Sequence, residues 1–380
     1  MSWEYLALDK LGSISRGRSK HRPRNDKALF SGKYPFVQTA DVKAAELYLT
    51  DYTETYNEKG LEQSKLWKAG TLCITIAANI ADTAILGIDA CFPDSVMGFV
   101  PFEGISNVKF VKYAFDILQR DCQKISQGTA QDNLSWKKLS TIKFPAPPIE
   151  IQDKIVGILS VYDDLIANNK KQIKLLEEAA QRLYKEWFVD LRFLGHEDVA
   201  IVDGVPEGWK KELIGDLIGK VIRSKQVKTA DYMKKGEIPV VDQSRDFIAG
   251  YTNDPETVVN IGCPVIVFGD HTRILKYIQF PFAKGADGTQ LIVSDNENMP
   301  QSLLYYSLIA VDLSNYHYAR HFKYLKAESI LVPSKEIADE FDRYVSPMLL
   351  QMQQLRNIAD KAAEARDRLL PKLMSGELEV

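Results

Sequence analysis

Cysteine is scarce. Cys73, Cys91, Cys122 and Cys263 are the only four in 380 residues, and no two share a CxxC spacing. Such scatter fits reduced cytosolic thiols and argues against a disulfide framework or a thiolate zinc site. Long apolar runs are missing too. No stretch approaches 18 uncharged apolar residues, so no membrane span is expected. The opening MSWEYLALDK brings acids early and no apolar core, so no secretory signal is expected and the expected location is cytoplasmic. Nor is one sign of charge in excess. The net charge of −3 rules out a wholesale polycation but leaves room for local basic patches. Catalytic signatures are also lacking: no GxxxxGK[ST] loop, no HExxH and no GxSxG elbow. GADG (285–288) is too sparse for a dinucleotide loop and reads as a hairpin turn.

What is present is an ordinary folding composition, 45% hydrophobic and 26% charged. At roughly 100–200 residues per domain this length predicts two or three domains. The sequence is built twice. Shifted by 186 residues, KFPAPPIEIQDKI (143–155) falls on SILVPSKEIADEF (329–341). Pro147 meets Pro333, Glu150 meets Glu336, Ile151 meets Ile337 and Asp153 meets Asp339. The same ungapped register aligns Ser160 with Ser346, Glu178 with Glu364 and Arg182 with Arg368.

Two heptad seams lie in that register. The first runs Ile155, Leu159, Tyr162, Ile166, Asn169, Ile173, Leu176, Ala180, Leu183, Trp187. The second runs Phe341, Val345, Met348, Met352, Leu355, Ala359, Ala362, Arg366, Leu369, Leu373. Steps of four and three place one apolar stripe toward a partner helix. The alternative is an amphipathic helix lying on a globular core. Ser346-Pro347 resembles an N-cap followed by proline at the first helical position, with Ser160 as its counterpart. The expectation is a short helical lead-in, then long helices near 161–188 and 347–374, each roughly 42 Å long. Pro371 should kink or fray the second. Ala359, Ala362 and Arg366 take the places of Ile173, Leu176 and Ala180, a weak apolar patch that permits close approach.

A mixed region precedes each helix. Trp3 and Trp209 open them, each followed eight residues later by leucine (Leu11, Leu217). YPFVQTADV (34–42) resembles IPVVDQSRD (238–246), GTLCITIAANIADTAIL (70–86) resembles GCPVIVFGDHTRILKYI (262–278), and DACFPDSVMGFV (89–100) resembles FPFAKGADGTQLI (280–292). The fold class is therefore α+β: two pseudo-repeated globular domains, 1–147 and 207–333, each with a twisted sheet and long loops. Helical regions 148–206 and 334–380 follow them, expected to pair as a coiled coil. GVPEG (204–208) reads as the turn-rich boundary of the second domain.

Charge is partitioned. Residues 1–147 carry net +3 and 207–333 balance, whereas the helical regions carry −4 and −2. Acidic helices are poor phosphate binders, so nucleic acid would meet the globular regions. RGRSKHRPRNDK (16–27) packs Arg16, Arg18, Lys20, Arg22, Arg24 and Lys27 against one acid. It suits phosphate contact or is simply a solvated loop. YHYARHFKYLK (316–326) interleaves aromatics with Arg320, His321 and Lys323, a texture for base edges and backbone or for a half-buried element. Its counterpart at 126–138 is amide-rich, with Gln127, Thr129 and Gln131. Amides pair with adenine and arginine with guanine. Gln38, Thr39, Gln243 and Arg245 join this candidate reading set from the aligned 34–42 and 238–246 blocks. GDHTR (269–273) brings Asp270, His271, Thr272 and Arg273 together. Its equivalent AANIA (77–81) has no titratable group, which argues against shared catalysis. Asp270 orienting Arg273 toward a base or phosphate is the reading adopted.

KFPAPPIEIQDKI leading to LYKEWFVD (183–190), FGDHTR with KGADGTQL, and the ending RDRLLPKLMSGELEV (366–380) resemble the specificity (S) subunit of type I restriction–modification systems over essentially the whole chain. That resemblance implies two target-recognition domains, each reading half of a split DNA site, and an antiparallel coiled coil setting the distance between halves. It implies partners: double-stranded DNA, two methyltransferase (M) subunits and, in the full complex, restriction (R) subunits. It implies no active site or cofactor on this chain. S-adenosylmethionine serves adenine methylation by the assembly, and ATP and Mg serve the R subunits. The competing readings are a coiled-coil adaptor with two protein-binding modules and a stand-alone enzyme built on the His271 region.

Overall fold

The computed structural model describes residues 3–77, 80–126, 134, 136–221, 224–316 and 320–380. They form two compact units, one of 1–167 with 359–380 and the other of 168–358.

In the first unit the order is β1 (Glu4–Ala7), α1 (Leu8–Leu11), β2 (Gly12–Arg16), β3 (Phe30–Phe36), α2 (Thr39–Ala44), β4 (Tyr48–Leu49), β5 (Glu54–Tyr56), α3 (Glu58–Glu62), β6 (Leu66–Trp67), β7 (Leu72–Thr75), β8 (Thr83–Leu86), β9 (Ala90–Cys91), β10 (Val96–Pro101), α4 (Val108–Ser126), α5 (Trp136–Leu139), β11 (Lys143–Ala146) and the long α6 (Ile149–Tyr184). One sheet runs β2-β10-β7-β8-β4 and a second runs β5-β3-β9-β6, with β1 and β11 as a separate antiparallel ribbon. The expected single sheet is thus two. β7 and β8 are buried on both faces because each is a continuous apolar or small-residue run, LCIT and TAIL. The core gathers Leu72, Ile74, Phe99, Phe110, Phe115 and Phe144.

The second unit repeats this plan. A hairpin of β12 (Ile201–Val202) and β13 (Val205–Pro206) precedes it. Asp203 and Gly204 both take positive φ at its tip, as a type I′ turn requires. Then come β14 (Lys210–Leu213), α7 (Ile214–Leu217), β15 (Ile238–Val241), β16 (Gly250–Thr252), β17 (Val258–Val259), β18 (Val265–Gly269), β19 (Leu275–Ile278), β20 (Phe282–Lys284), β21 (Thr289–Ile292), α8 (Gln301–Ala310), α9 (His321–Ala327), β22 (Ser329–Val332) and α10 (Lys335–Ser375). Sheet β16-β15-β20-β17 reproduces β5-β3-β9-β6, including the one parallel pair in each, β15 with β20 and β3 with β9. Sheet β19-β18-β21 reproduces β8-β7-β10, and Ile218 bridges Ser294 where β2 pairs β10. Ribbon β14-β22 pairs Lys210 with Val332 as β1-β11 pairs Glu4 with Ala146, the offsets read from the sequence. GADG is not a hairpin turn, because β20 and β21 belong to different sheets, and it carries the chain between them.

The long helices begin earlier than expected. α6 has 36 residues and continues into a π turn, Lys185–Val189, while α10 has 41. At 1.5 Å per residue these are roughly 54 and 62 Å. Ser346 is no cap: its Oγ donates to Asp342 Oδ1 one turn back, 2.6 Å away. The helix runs on through Pro347 and Pro371 because buried side chains flank both. Phe341, Val345, Leu349 and Met352 surround the first, and Leu370, Leu373 and Met374 the second. Every seam position predicted from the heptads is buried or half-buried. In the first unit Ile166 packs on Ala359 and Ala362, and Asp163 pairs with Arg366. In the second, Glu177 pairs with Arg356 and Tyr184 packs on Phe341. Rising numbers on one helix meet falling numbers on the other, so the pairing within each unit is antiparallel.

Candidate nucleic-acid interface

The first unit presents its basic segment as a pinned loop. Gly17 N donates to Val96 O and Arg18 N to Phe92 O. A Cβ at Gly17 would stand 2.3 Å from Pro93 O, so only glycine permits this approach. Gln63 Oε1 accepts from Lys20 N and His21 N, and Ser64 Oγ donates to Arg18 O. This leaves the Arg16, Arg18, Lys20 and Lys27 side chains exposed. Two of the predicted contacts turn back on the protein. Arg22 donates to Ser19 O and His21 O, and Arg24 pairs with Asp94 at 2.8 Å. Gln38 is likewise occupied, because its backbone N–H donates to Asp41 and its side-chain amide to Glu54 at 2.6 Å. It serves the start of α2, beside Thr39. Gln127, Thr129 and Gln131 lie outside the described residues.

The second unit assembles the GDHTR turn around Gln243. Gln243 Oε1 accepts from His271 N at 3.1 Å, its Nε2 donates to Asp287 O at 2.7 Å, and its backbone O accepts from Thr272 Oγ1. Gly288, at φ +84, leaves space that any Cβ would take from His271 and Gln243. Gln243 is therefore the fastener of the turn rather than its reading group. His271, Thr272 and Arg273 remain exposed at its edge, with Arg245 exposed nearby in sequence on the 242–247 loop.

Asp270 does not orient Arg273. Its carboxylate is buried and accepts from Phe322 N at 2.8 Å, capping the start of α9, where free N–H groups favour an anion. Arg273 donates instead to Tyr316 O at 3.0 Å and takes positive φ. His321 is only 5% exposed, with Nδ1 2.8 Å from Asp270 O and Nε2 3.0 Å from Tyr316 O, so it ties the turn to α9 and is not offered to a ligand. Arg320 and Lys323 stay exposed at the start of α9.

Sequence reasoning missed Lys276. It sits in β19, 4% exposed, and its Nζ donates to Asp242 O at 2.8 Å and to Asp246 O. Burial lowers its pKa below the usual ammonium range, and Asp242 and Asp246 partly offset this. It clamps the loop that carries Gln243 and Arg245. The available signal was a lysine inside the apolar strand pattern ILKYI. Tyr232 joins it, donating to Asp242 and accepting from Ala286 N.

The helices hold polar seams. Asp163 accepts from both Arg366 and the buried Tyr113 hydroxyl, whose phenol is pushed well up by burial and by that carboxylate. Asn169 is 3% exposed and its Nδ2 has no partner. Among the described residues no group of acids, histidines and cysteines could hold a metal ion, and no helix is long and apolar enough to cross a membrane.

Residues 2–178 match the family model for the type I restriction modification DNA specificity domain. The type I restriction enzyme MjaIX specificity subunit of Methanocaldococcus jannaschii is 24% identical over an alignment spanning 100% of this chain and 94% of that protein. The EcoR124I/EcoR124II specificity subunit of Escherichia coli is 30% identical over 48% of this chain and 47% of its own. Among solved structures, the S subunit of a type I restriction–modification system from M. genitalium superposes with a TM-score of 0.64 at 16% identity, over 98% of this chain and 96% of that one, a likeness of fold. With its doubled domain and paired long helices, the chain is similar over its whole length to a type I restriction enzyme specificity subunit, and its residues 2–178 match the DNA specificity domain of such enzymes.

Proposed function

We propose that this chain supplies DNA-sequence recognition to a type I restriction–modification complex. Each domain reads one half of a bipartite site through the major groove, and the paired helices set the gap and dock the methyltransferase subunits. The repeat carries the reading. One sheet plan occurs twice with different exposed side chains: Arg16, Arg18 and Lys20 in one copy, His271, Thr272, Arg273, Arg320 and Lys323 in the other. A scaffold repeated with divergent polar surfaces suits two different half-sites. Net charges of −4 and −2 on the helical regions leave them to protein partners rather than phosphate.

On this reading the chain is noncatalytic. S-adenosylmethionine belongs to the methyltransferase subunits, acting on adenine, and ATP with Mg to the restriction subunits. Lengthening α6 and α10 by matched heptads tests the ruler. The assembled methyltransferase should then prefer a longer gap between the same two half-sites. An unchanged gap would remove the helices from the measurement of distance.

A further inference from the structure

The second unit carries a cleft that the reading turn does not use. It is lined by Lys220, Ser224, Gln226, Lys284, Gln290 and Lys326, with Phe322 as an apolar wall, and encloses about 760 Å³. Three ammonium groups line it, and no carboxylate does among the described residues. The Ser224 hydroxyl is buried and has no hydrogen-bond partner. A buried unmet donor beside clustered cations suits an anionic oxygen ligand.

The internal repeat supplies an independent argument. In both units the segment that leaves the first core strand returns to the same carbonyl. Arg18 N donates to Phe92 O in the first unit, and Val227 N to Lys284 O in the second. Phe92 follows β9 and Lys284 ends the equivalent strand β20. Beside this point the first unit supplies cations from the segment itself, as Arg16, Arg18 and Lys20. In the second unit the corresponding segment carries Lys220, Arg223 and Lys225 in its sequence; Lys225 is paired with Asp254 and Glu256, and Lys284 and Lys326 join Lys220 in the cleft. Positive charge recurs at one place in the fold, partly from the same segment and partly from Lys284 and Lys326, which replace the uncharged Phe92 and Ser140 of the first unit. A packing role would not require that.

We infer that this cleft binds the phosphate groups of the DNA backbone and holds the second domain on the duplex independently of sequence. The inference rests on the DNA-recognition reading and assigns it a surface separate from the GDHTR turn.

The test uses the full chain assembled with its methyltransferase subunits, comparing wild type with Lys220→Gln/Lys284→Gln/Lys326→Gln on cognate and scrambled duplexes across a salt series. Each neutralised phosphate contributes about 0.9 to the slope of log affinity against log salt. The triple variant should lose about 2–3 from that slope and bind both duplexes more weakly by the same factor. The corresponding triple Lys→Arg variant should restore the wild-type slope, which a folding defect would not predict. An unchanged slope, with wild type still selecting its cognate site, would overturn the cleft assignment alone. Absence of salt-dependent DNA binding by wild type would overturn the parent reading. Inorganic phosphate is the second probe. Saturable phosphate binding that the triple Gln variant abolishes, without any change in DNA slope, would make this a site for free phosphate and would also overturn the assignment.

Discussion

A buried lysine is tolerated when its donors are met by fixed acceptors, and at Lys276 those acceptors are the carbonyls of Asp242 and Asp246. Lys276→Met would leave both carbonyls unpaired. The expected loss is about 1–3 kcal/mol of unfolding free energy, read by denaturant titration, with weakened selection at the half-site proposed for the second domain. Full stability and unaltered selectivity in Lys276→Met would show that the loop needs no clamp. Burial also raises the thiol pKa of Cys91 and brings Cys122 up to about 12, while Cys263 is exposed. Iodoacetamide at pH 8 should therefore label Cys263 alone in the native protein and all four cysteines in denaturant, as read by mass spectrometry. Native labelling at Cys122 would mean that the first core opens. Residue chemistry was legible from the sequence, but its direction was not. Gln243, Asp270 and His321 are the polar types a reading site uses, yet each spends its hydrogen bonds on the backbone of a neighbouring turn. Only the placement of Asp287 O, Phe322 N and Tyr316 O decides that.

Among the elements, the paired helices were the most legible. Their apolar period depends on which side chains face a partner, and burial follows it at every predicted position. Their starts were less so. Ser346-Pro347 has the composition of a cap, but flanking buried residues outweigh the one backbone hydrogen bond that proline removes. The Asp163–Arg366 pair is 8% exposed on the acid side and also holds Tyr113. Arg366→Met should cost about 3–5 kcal/mol, because it strands a buried carboxylate. Asp163→Leu/Arg366→Met should recover part of the loss, because it removes the stranded charge but leaves the buried Tyr113 hydroxyl unpaired. Equal losses in single and double variants would exclude charge burial as the cause. The orphan Asn169 amide makes the opposite prediction. Asn169→Leu should raise the thermal midpoint, since an unmet buried donor costs about 1–3 kcal/mol. A lowered midpoint would reveal a partner for that amide.

For the molecule as a whole, duplication explains both what could be read in advance and what could not. The offsets of 186 and 206 residues recur as strand registers because equivalent positions share burial and pairing, and burial constrains residue type. The contact surface lacks that constraint. RSK recurs at 18–20 and 223–225, but Lys284 and Lys326 replace Phe92 and Ser140 of the first half, so an alignment of the halves finds only part of the basic surface proposed for the second. Two copies that share a core but not a surface can address two unlike DNA sequences. The direct test is base-resolution methylation mapping of DNA treated with the chain assembled with its methyltransferase subunits. The account predicts two short specified blocks separated by a fixed run of unspecified bases, with Arg273→Ala relaxing a position in only one block. A single uninterrupted recognition block, or relaxation spread over both, would contradict it.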